Sequence, residues 1–444
     1  LPKDHHPPPP THFPARKLVS RSVYALLPLA FLHFYFFPRP LASPHIATTA
    51  PVFPTLSTTA SPPQRRPRAV SPAAAAAATA PPHCDLFAGQ WVKAAREPLY
   101  DGSSCATIKD GQNCMAHGRP DTGYLHWRWQ PRGCTLPPFD AAAFLRRLRG
   151  RHLAFVGDSM ARNQLESLLC LLATAAPPEL VYRDGEDNKF RRWRFRSYNA
   201  TISVFWSPFL VRGVEKSAAS GLDHNELYLD AVDVRWASEL WSIDVVVLSV
   251  GHWFLHPAVF YEKGGEVVVG CHYCPKLNHT EVGFYGVYRK AFRTALNAAA
   301  TDTGGGGRSR YVVVTTFSPS HFEGEWDKAG ACPKTEPYAE KTVEGMDAEM
   351  RRVQLEEVAA ARRRAPAVVA VEALDVTGLA LLRADGHPGP YMYANPFADG
   401  VPERVQNDCV HWCLPGPIDA WNEIFLEMVR RWAAGDAHRV RRCK

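Results

Sequence analysis

Two short stretches of this chain hold residues whose types and spacing could do covalent chemistry. The first is Arg151-His152-Leu153-Ala154-Phe155-Val156-Gly157-Asp158-Ser159-Met160. Leu153 to Val156 is an apolar run of strand length, broken at Gly157-Asp158. From Met160 the pattern turns helical, with Leu165, Leu168, Leu169 and Leu172 on one face. A serine at such a turn exposes its hydroxyl, and the helix behind it presents free N–H groups to a developing negative charge. That suits Ser159 as a nucleophile. A hydroxyl attacks only when a base removes its proton. The second stretch, Asp408-Cys409-Val410-His411, provides one. A three-residue spacing brings both side chains to one side of a turn. Asp408 would then fix the His411 tautomer and stabilise the imidazolium. The chemistry expected is serine-dependent acyl transfer.

Other groups surround these three. Asp158 reads as a turn-capping residue rather than the acid of the triad. Asn163, or the Ser159 N–H after Gly157, is a candidate oxyanion donor. Arg162 either contacts substrate or pairs with a carboxylate. Gly251-His252-Trp253 follows another apolar run. There His252 is either a further donor or substrate contact, or a ring packed on Trp253. The chemistry needs no metal, and none is assigned. Cys271-His272-Tyr273-Cys274 has a spacing that zinc sites also use.

The elements that must position these groups are legible in outline. Strand-like runs occur at Leu153–Val156, Ile202–Trp206, Val245–Val250, Tyr311–Thr316 and Val368–Val371. Helical patterns occupy Phe139–Leu148, Ala161–Leu172, Tyr288–Ala300, Met346–Arg363 and Ile418–Trp432. Val-rich strands alternating with helices predict a parallel sheet covered on both faces. Ligands in such folds sit at the carboxyl ends of strands, where Ser159, Gly251 and Ser318 fall. Gly304 to Gly307 reads as a flexible insertion, since no Lys-Ser/Thr follows it.

A length of 444 residues fits one large catalytic domain with appendages. The net charge of +7 is dispersed and accompanies no nucleic-acid motif, so no nucleic-acid partner is expected. Eleven widely spaced cysteines favour disulfides in an oxidising compartment over zinc. Residues 1–22 read as a cytosolic tail, with Arg16, Lys17 and Arg21 ahead of an apolar segment at 23–37. That segment is a signal anchor by charge order, with a cleaved signal peptide as the alternative. Residues 38–82, rich in Pro, Ala, Ser and Thr, form a stalk. Residues 83–138 are a Cys-rich segment, and 139–444 the catalytic domain. Asn199 and Asn278 begin acceptor sequons for N-glycosylation.

Gly157-Asp158-Ser159 with Asp408-x-x-His411 resembles the plant trichome-birefringence-like polysaccharide O-acetyltransferases, whose catalytic part is a PC-esterase domain. The likeness extends to Cys84-Asp85-Leu86-Phe87, Asn113-Cys114, Gly118-Arg119-Pro120-Asp121, Trp127-Arg128-Trp129, Gly251-His252-Trp253 and Asp385-Gly386-His387-Pro388. It covers Cys84 to about Trp432. Met160 to Cys170 and Arg383 to Tyr391 are most similar to the xyloglucan-acetylating branch. The resemblance implies an SGNH-hydrolase-like (GDSL) α/β fold with a smaller disulfide-bonded lobe. It implies the triad roles for Ser159, Asp408 and His411. It also implies a single-pass type II Golgi membrane protein with a luminal catalytic domain, acetylating a hemicellulose. No bound cofactor is implied. The acetyl donor would be acetyl-CoA or an acetylated intermediate, with donor-supply proteins as partners. One departure stands out: SGNH hydrolases usually carry an asparagine donor where this chain has His252. Disulfides are expected at Cys84–Cys134 and Cys105–Cys170, with Cys409 and Cys413 bonded to two of Cys271, Cys274 and Cys332. An acceptor groove beside Ser159 is expected to use Trp127, Trp129, His252 and Trp253.

Overall fold

The computed structural model describes residues 84–184, 189–301 and 309–442. The tail, apolar segment, stalk, Gly304–Gly307 and Cys443 lie outside these residues. Among the described residues no helix is long and apolar enough to cross a membrane.

The chain opens with β1 (Asp85–Lys93) and β2 (Trp127–Arg132), an antiparallel ribbon with Trp91 opposite Trp129. Their indoles meet edge to face at 5.6 Å, giving this segment a small aromatic centre. Helix α1 (Ala141–Arg147) follows, its first turn closed by Asp140, which accepts the Ala143 N–H. Next come β3 (His152–Gly157), α2 (Ser159–Ala173), β4 (Glu179–Asp184), β5 (Phe190–Phe195) and β6 (Ala200–Trp206). Strands β7 (Val211–Val214), β8 (Asn225–Val232), β9 (Val245–Ser249), β10 (Ala258–Glu262) and β11 (Val267–His272) lead to α3 (Tyr285–Ala299). The chain then forms β12 (Arg310–Thr315), α4 (Gly345–Arg364), β13 (Val369–Leu374), α5 (Thr377–Leu381) and α6 (Asp419–Arg442).

The main sheet runs β13-β12-β9-β3-β6-β5-β4. The five strands expected from Val-rich runs are its parallel part. Every residue of β3, β9 and β12 is buried, which requires cover on both faces. The antiparallel hairpin β4-β5 extends one edge and was not foreseen. Its strands carry Arg183, Arg191, Arg192 and Arg194, and β4 is exposed throughout, so no apolar run marks them. A second sheet, β11-β10-β8-β7, was also missed. β7 and β8 mix polar with apolar residues, while β10 and β11 open on the short apolar runs Ala258–Tyr261 and Val267–Val269.

Helix α2 lies beneath the site. Leu165, Leu168, Leu169 and Leu172 are fully buried, as the pattern predicts. Asn163, Gln164, Glu166 and Ser167 on its other side are buried too. The reason is α6, which packs along it: Asn422 donates to the Gln164 carbonyl at 3.1 Å, and Ser167 donates to Asp419 at 2.5 Å. Phe425 of α6 reaches Phe144 of α1 and Phe155 of β3. Each such buried ring contributes roughly 1.5–3 kcal/mol. Asn199 and Asn278 are both exposed.

Candidate active site

The Ser159 turn is built by two strands ending in register. Gly157 of β3 lies opposite Ser249 of β9. A Cβ at Gly157 would sit 1.8 Å from the Ser249 carbonyl oxygen, so no other residue fits. The Asp158 N–H donates to that same carbonyl at 3.1 Å, and the Ser207 N–H donates to Gly157 O at 2.9 Å. Asp158 caps α2 by accepting the Met160 N–H at 2.9 Å. Its other oxygen accepts the Gly251 N–H at 3.0 Å, which ties the Ser159 turn to the Gly251 turn. Burial raises the Asp158 carboxyl to about 6, against the pull of these two N–H bonds and of His411 and Arg162. Ser159 is half-buried as the first residue of α2. Its N–H therefore lacks an intrahelical acceptor. The Gly251 N–H is already committed to Asp158.

The turn carrying Asp408 and His411 is equally constrained. Asp408 Oδ2 accepts from His411 Nδ1 at 2.8 Å. Asp408 Oδ1 accepts the His411 N–H at 2.9 Å and the Val410 N–H at 3.1 Å. Burial alone would raise the Asp408 carboxyl, but the His411 charge and these hydrogen bonds hold it well below the usual carboxylate range. The aspartate thus fixes the proton on Nδ1, leaving Nε2 as the basic atom. Among the described residues Nε2 is buried and has no hydrogen-bond partner. No hydrogen bond joins it to Ser159 in this structure.

What brings the two turns together is Asn163, one helical turn beyond Ser159. Its Oδ1 accepts the Trp412 N–H at 2.8 Å, and its Nδ2 donates to Trp412 O at 3.2 Å. Trp412 immediately follows the base. The expectation of Asn163 as oxyanion donor is corrected accordingly: fully buried on this backbone, it clamps one half of the site to the other.

Further bonds pin the base turn from outside. Asp408 and Gly389 exchange backbone hydrogen bonds at 2.9 and 3.0 Å. The His321 N–H donates to Cys409 O at 3.0 Å, and the Cys413 N–H to Gly386 O at 2.9 Å. His387 Nδ1 donates to His411 O at 2.7 Å. Arg119 in turn holds the His387 loop, donating to the carbonyls of Asp385 at 2.6 Å and His387 at 2.7 Å. Its guanidinium lies over the Tyr124 ring at 4.2 Å. Arg383 and Asp385 form a buried ion pair beneath. Two segments singled out in the sequence, Gly118–Asp121 and Asp385–Pro388, are therefore one support for the base. Sequence patterns assigned no role to His321, His387 or Arg119, since only folding brings them beside His411.

The remaining candidates sit around the nucleophile turn. His252 stacks on Phe317 at 4.7 Å rather than on Trp253. Burial, with His411 and His256 nearby, lowers it to about 3, so it is neutral. A Cβ at Gly251 would meet the Phe317 ring at 2.4 Å. Trp253 packs edge-on to Trp206 and Phe209. Arg162 lies 5.2 Å over the Trp206 ring instead of on a carboxylate. Trp129 does not line a groove: it is buried, donates to Leu86 O and packs on Trp91. Trp127 lines a cavity with Trp91, Arg96, Asp419 and Glu423 that includes neither Ser159 nor His411.

The disulfides Cys84–Cys134 and Cys105–Cys170 occur as expected. Cys409 bonds Cys332. Cys413 does not bond within the expected set: its partner is Cys114, 299 residues away. The Cys-rich segment docks on the base turn, burying Cys114, Tyr124 and Cys413 together. Cys271 and Cys274 bond each other beside β10. With Glu281 they form a group close enough to hold an ion, but both sulfurs are used in that bridge.

Comparison with known proteins agrees with this arrangement. Residues 136–428 match the PC-Esterase model, described as a GDSL/SGNH-like acyl-esterase family found in Pmr5 and Cas1p. Residues 82–135 match the PMR5 N-terminal domain. The chain is 58% identical to "Xyloglucan O-acetyltransferase 1" of Populus trichocarpa over 94% of each chain. It is 61% identical to "Xyloglucan O-acetyltransferase 1" of Arabidopsis thaliana, over 79% of this chain and 81% of that one. To "Protein trichome birefringence-like 25" of Arabidopsis thaliana it is 43% identical, over 78% and 76%. With an SGNH-like sheet, a PMR5 N-terminal domain and these relatives, the chain belongs to the trichome-birefringence-like family of PC-esterase proteins.

Proposed function

We propose that this chain is a polysaccharide O-acetyltransferase that works by double displacement through Ser159. His411 Nε2 takes the Ser159 proton as the hydroxyl attacks the acetyl donor, and the donor's leaving group departs with a proton from His411. The acetyl group is then an ester on Ser159. A sugar hydroxyl attacks that ester, passing its proton to His411, and Ser159 leaves with the proton returned. The Ser159 N–H at the helix start is placed to stabilise the oxyanion in both steps. Asp408 keeps the imidazolium stable without becoming protonated.

The observation that carries this reading is the Asp408–His411 pair with its unpartnered Nε2, clamped by Asn163 to the helix that begins at Ser159. Relatives named xyloglucan O-acetyltransferases support xyloglucan as the acceptor, ahead of mannan or xylan. The donor is acetyl-CoA or an acetylated intermediate. The disulfides suit an oxidising lumen, which supports a Golgi enzyme anchored by residues 23–37. The test is to supply labelled acetyl donor with xyloglucan, mannan and xylan oligosaccharides. Label transfers to xyloglucan fragments, and Ser159→Ala abolishes the transfer. Release of acetate from acetylated fragments, with no acetylation of bare ones, would make the enzyme an esterase instead.

A further inference from the structure

Behind the base turn lies a buried pair of imidazoles. His321 Nδ1 and His387 Nε2 are 2.7 Å apart. The outer nitrogens face carbonyls: His387 Nδ1 is 2.7 Å from His411 O, and His321 Nε2 is 2.9 Å from Leu381 O. A carbonyl oxygen only accepts, so both outer nitrogens must carry protons. Two neutral imidazoles hold two protons in all. With both protons on the outer atoms, two bare nitrogens face each other at 2.7 Å. Moving one inward leaves a bare nitrogen against a carbonyl oxygen. Three hydrogen bonds need three protons.

We propose that His321 and His387 hold three protons between them, and that this singly charged pair is a positioning device for the catalytic base. The His387 ring grips the backbone of His411 itself, while the backbone N–H of His321 donates to Cys409 O, one residue after Asp408. The His387 ring thus holds the turn that carries His411, and the His321 ring holds the His387 ring from behind. The His387 ring is stacked on Trp412 at 4.3 Å, the residue that Asn163 clamps. His321 meets the same indole edge-on at 6.1 Å.

The charges around the pair divide. Asp408 and Asp385 favour the extra proton, as does Glu323 near His321. Arg119 beside His387 and Lys341 beside His321 oppose it. Arg383 is committed to Asp385. Tyr338 packs near His321 and donates to Glu323. Burial is the largest influence and pushes both rings down, His321 to about 4. It therefore excludes a doubly charged pair. A single proton is held where three aligned hydrogen bonds, two of them to carbonyl dipoles, share its charge.

The inference concerns the machinery of the proposed acetyl transfer, but its first test does not depend on that activity. Histidine-15N protein is examined at pH 7, with the four ring nitrogens assigned by their loss in His321→Gln and His387→Gln. Three protons on the four nitrogens is the expected result, with one exchanged between the inner pair. Two protonated and two bare nitrogens would overturn the proposal. The kinetic test compares His387→Ala with His387→Asn, whose amide can still donate to His411 O. The alanine variant loses about 10–100-fold in kcat with KM for the oligosaccharide little changed, and asparagine restores part of it. In the wild type, kcat also falls as the third proton is lost on raising the pH, and this limb is absent from His387→Asn. An unchanged kcat in His387→Ala would refute the positioning role. Three protons on a pair in a chain that acetylates nothing would uphold the pair and refute the proposed function instead.

Discussion

Asp408 illustrates how a single side chain can be read from sequence and still be understood only in the structure. Its three-residue spacing from His411 foretold the pairing, and Oδ2 does receive His411 Nδ1. What spacing could not reveal is that Oδ1 is occupied by two backbone N–H groups, which fix the turn as well as the tautomer. Replacing Asp408 by Asn keeps the shape but presents a donor or a weaker acceptor to Nδ1. Turnover is expected to drop by about 10³–10⁴-fold with the fold retained, measured as initial rate of oligosaccharide acetylation. Asn163 is the opposite case. Its type and place beside Ser159 suggested an oxyanion donor, and the partner that claims it lies 249 residues away. Asn163→Ala leaves a buried N–H and C=O of Trp412 unpaired. A loss of about 1–3 kcal/mol of stability is expected in urea unfolding, with a fall in kcat because the clamp between the two halves of the site is gone.

At the scale of elements, apolar periodicity disclosed what is buried and continuous, and little else. Strands β3, β9 and β12 and helix α2 were legible because both faces of each are covered. The β4-β5 hairpin was not, because β4 is exposed throughout and β5 alternates with arginines; in the second sheet, the short apolar runs Ala258–Tyr261 and Val267–Val269 were passed over. The Cys-rich segment was recognised by composition, yet its docking site was misjudged. It reaches the base turn through Cys114–Cys413 and Arg119. Cys114→Ala with Cys413→Ala is expected to cost ~2–5 kcal/mol and to lower activity at temperatures where the fold persists. Cys271→Ala with Cys274→Ala, a local bridge, should leave acetylation rates near wild type. A second test concerns α6, where Asp419 accepts from Tyr100, Ser167 and the Gly416 N–H. Burial raises its carboxyl to about 6, outweighing these bonds. A carboxyl whose pKa is higher folded than unfolded stabilises the fold below the unfolded pKa, near 4, and that contribution is lost as pH rises through about 6. The shift is on the order of 3 kcal/mol. The melting-temperature advantage of wild type over Asp419→Asn should therefore shrink between pH 4 and pH 7.

For the whole molecule, the arrangement is one of convergence on a single edge of the main sheet. Strands β3, β9 and β12 end there and are followed by Ser159, Gly251 and Ser318, and Trp412 Nε1 donates to Ser318 at 3.3 Å. The base reaches this edge from the far end of the sequence, held by the N-terminal segment and by α2. Sequence patterns located the Ser159 turn and the Asp408–His411 pair but not the scaffold between them, because that scaffold is made of backbone carbonyls, N–H groups and disulfides. The proposed luminal topology makes its own demand: Asn199 and Asn278, both exposed, should carry N-glycans removable by glycosidase when the chain is expressed with residues 1–83 in plant cells. Glycan-free asparagines at both sites would count against that topology. The central claim, that Ser159 carries the acetyl group, has a more direct test. The chain is mixed with labelled acetyl donor without acceptor, quenched in acid, digested and analysed by mass spectrometry, and in parallel chased with xyloglucan oligosaccharide before quenching. An acetyl ester is expected on the peptide containing Ser159, disappearing on the chase as the oligosaccharide gains it. Transfer to the oligosaccharide at an undiminished rate by Ser159→Ala would contradict that claim.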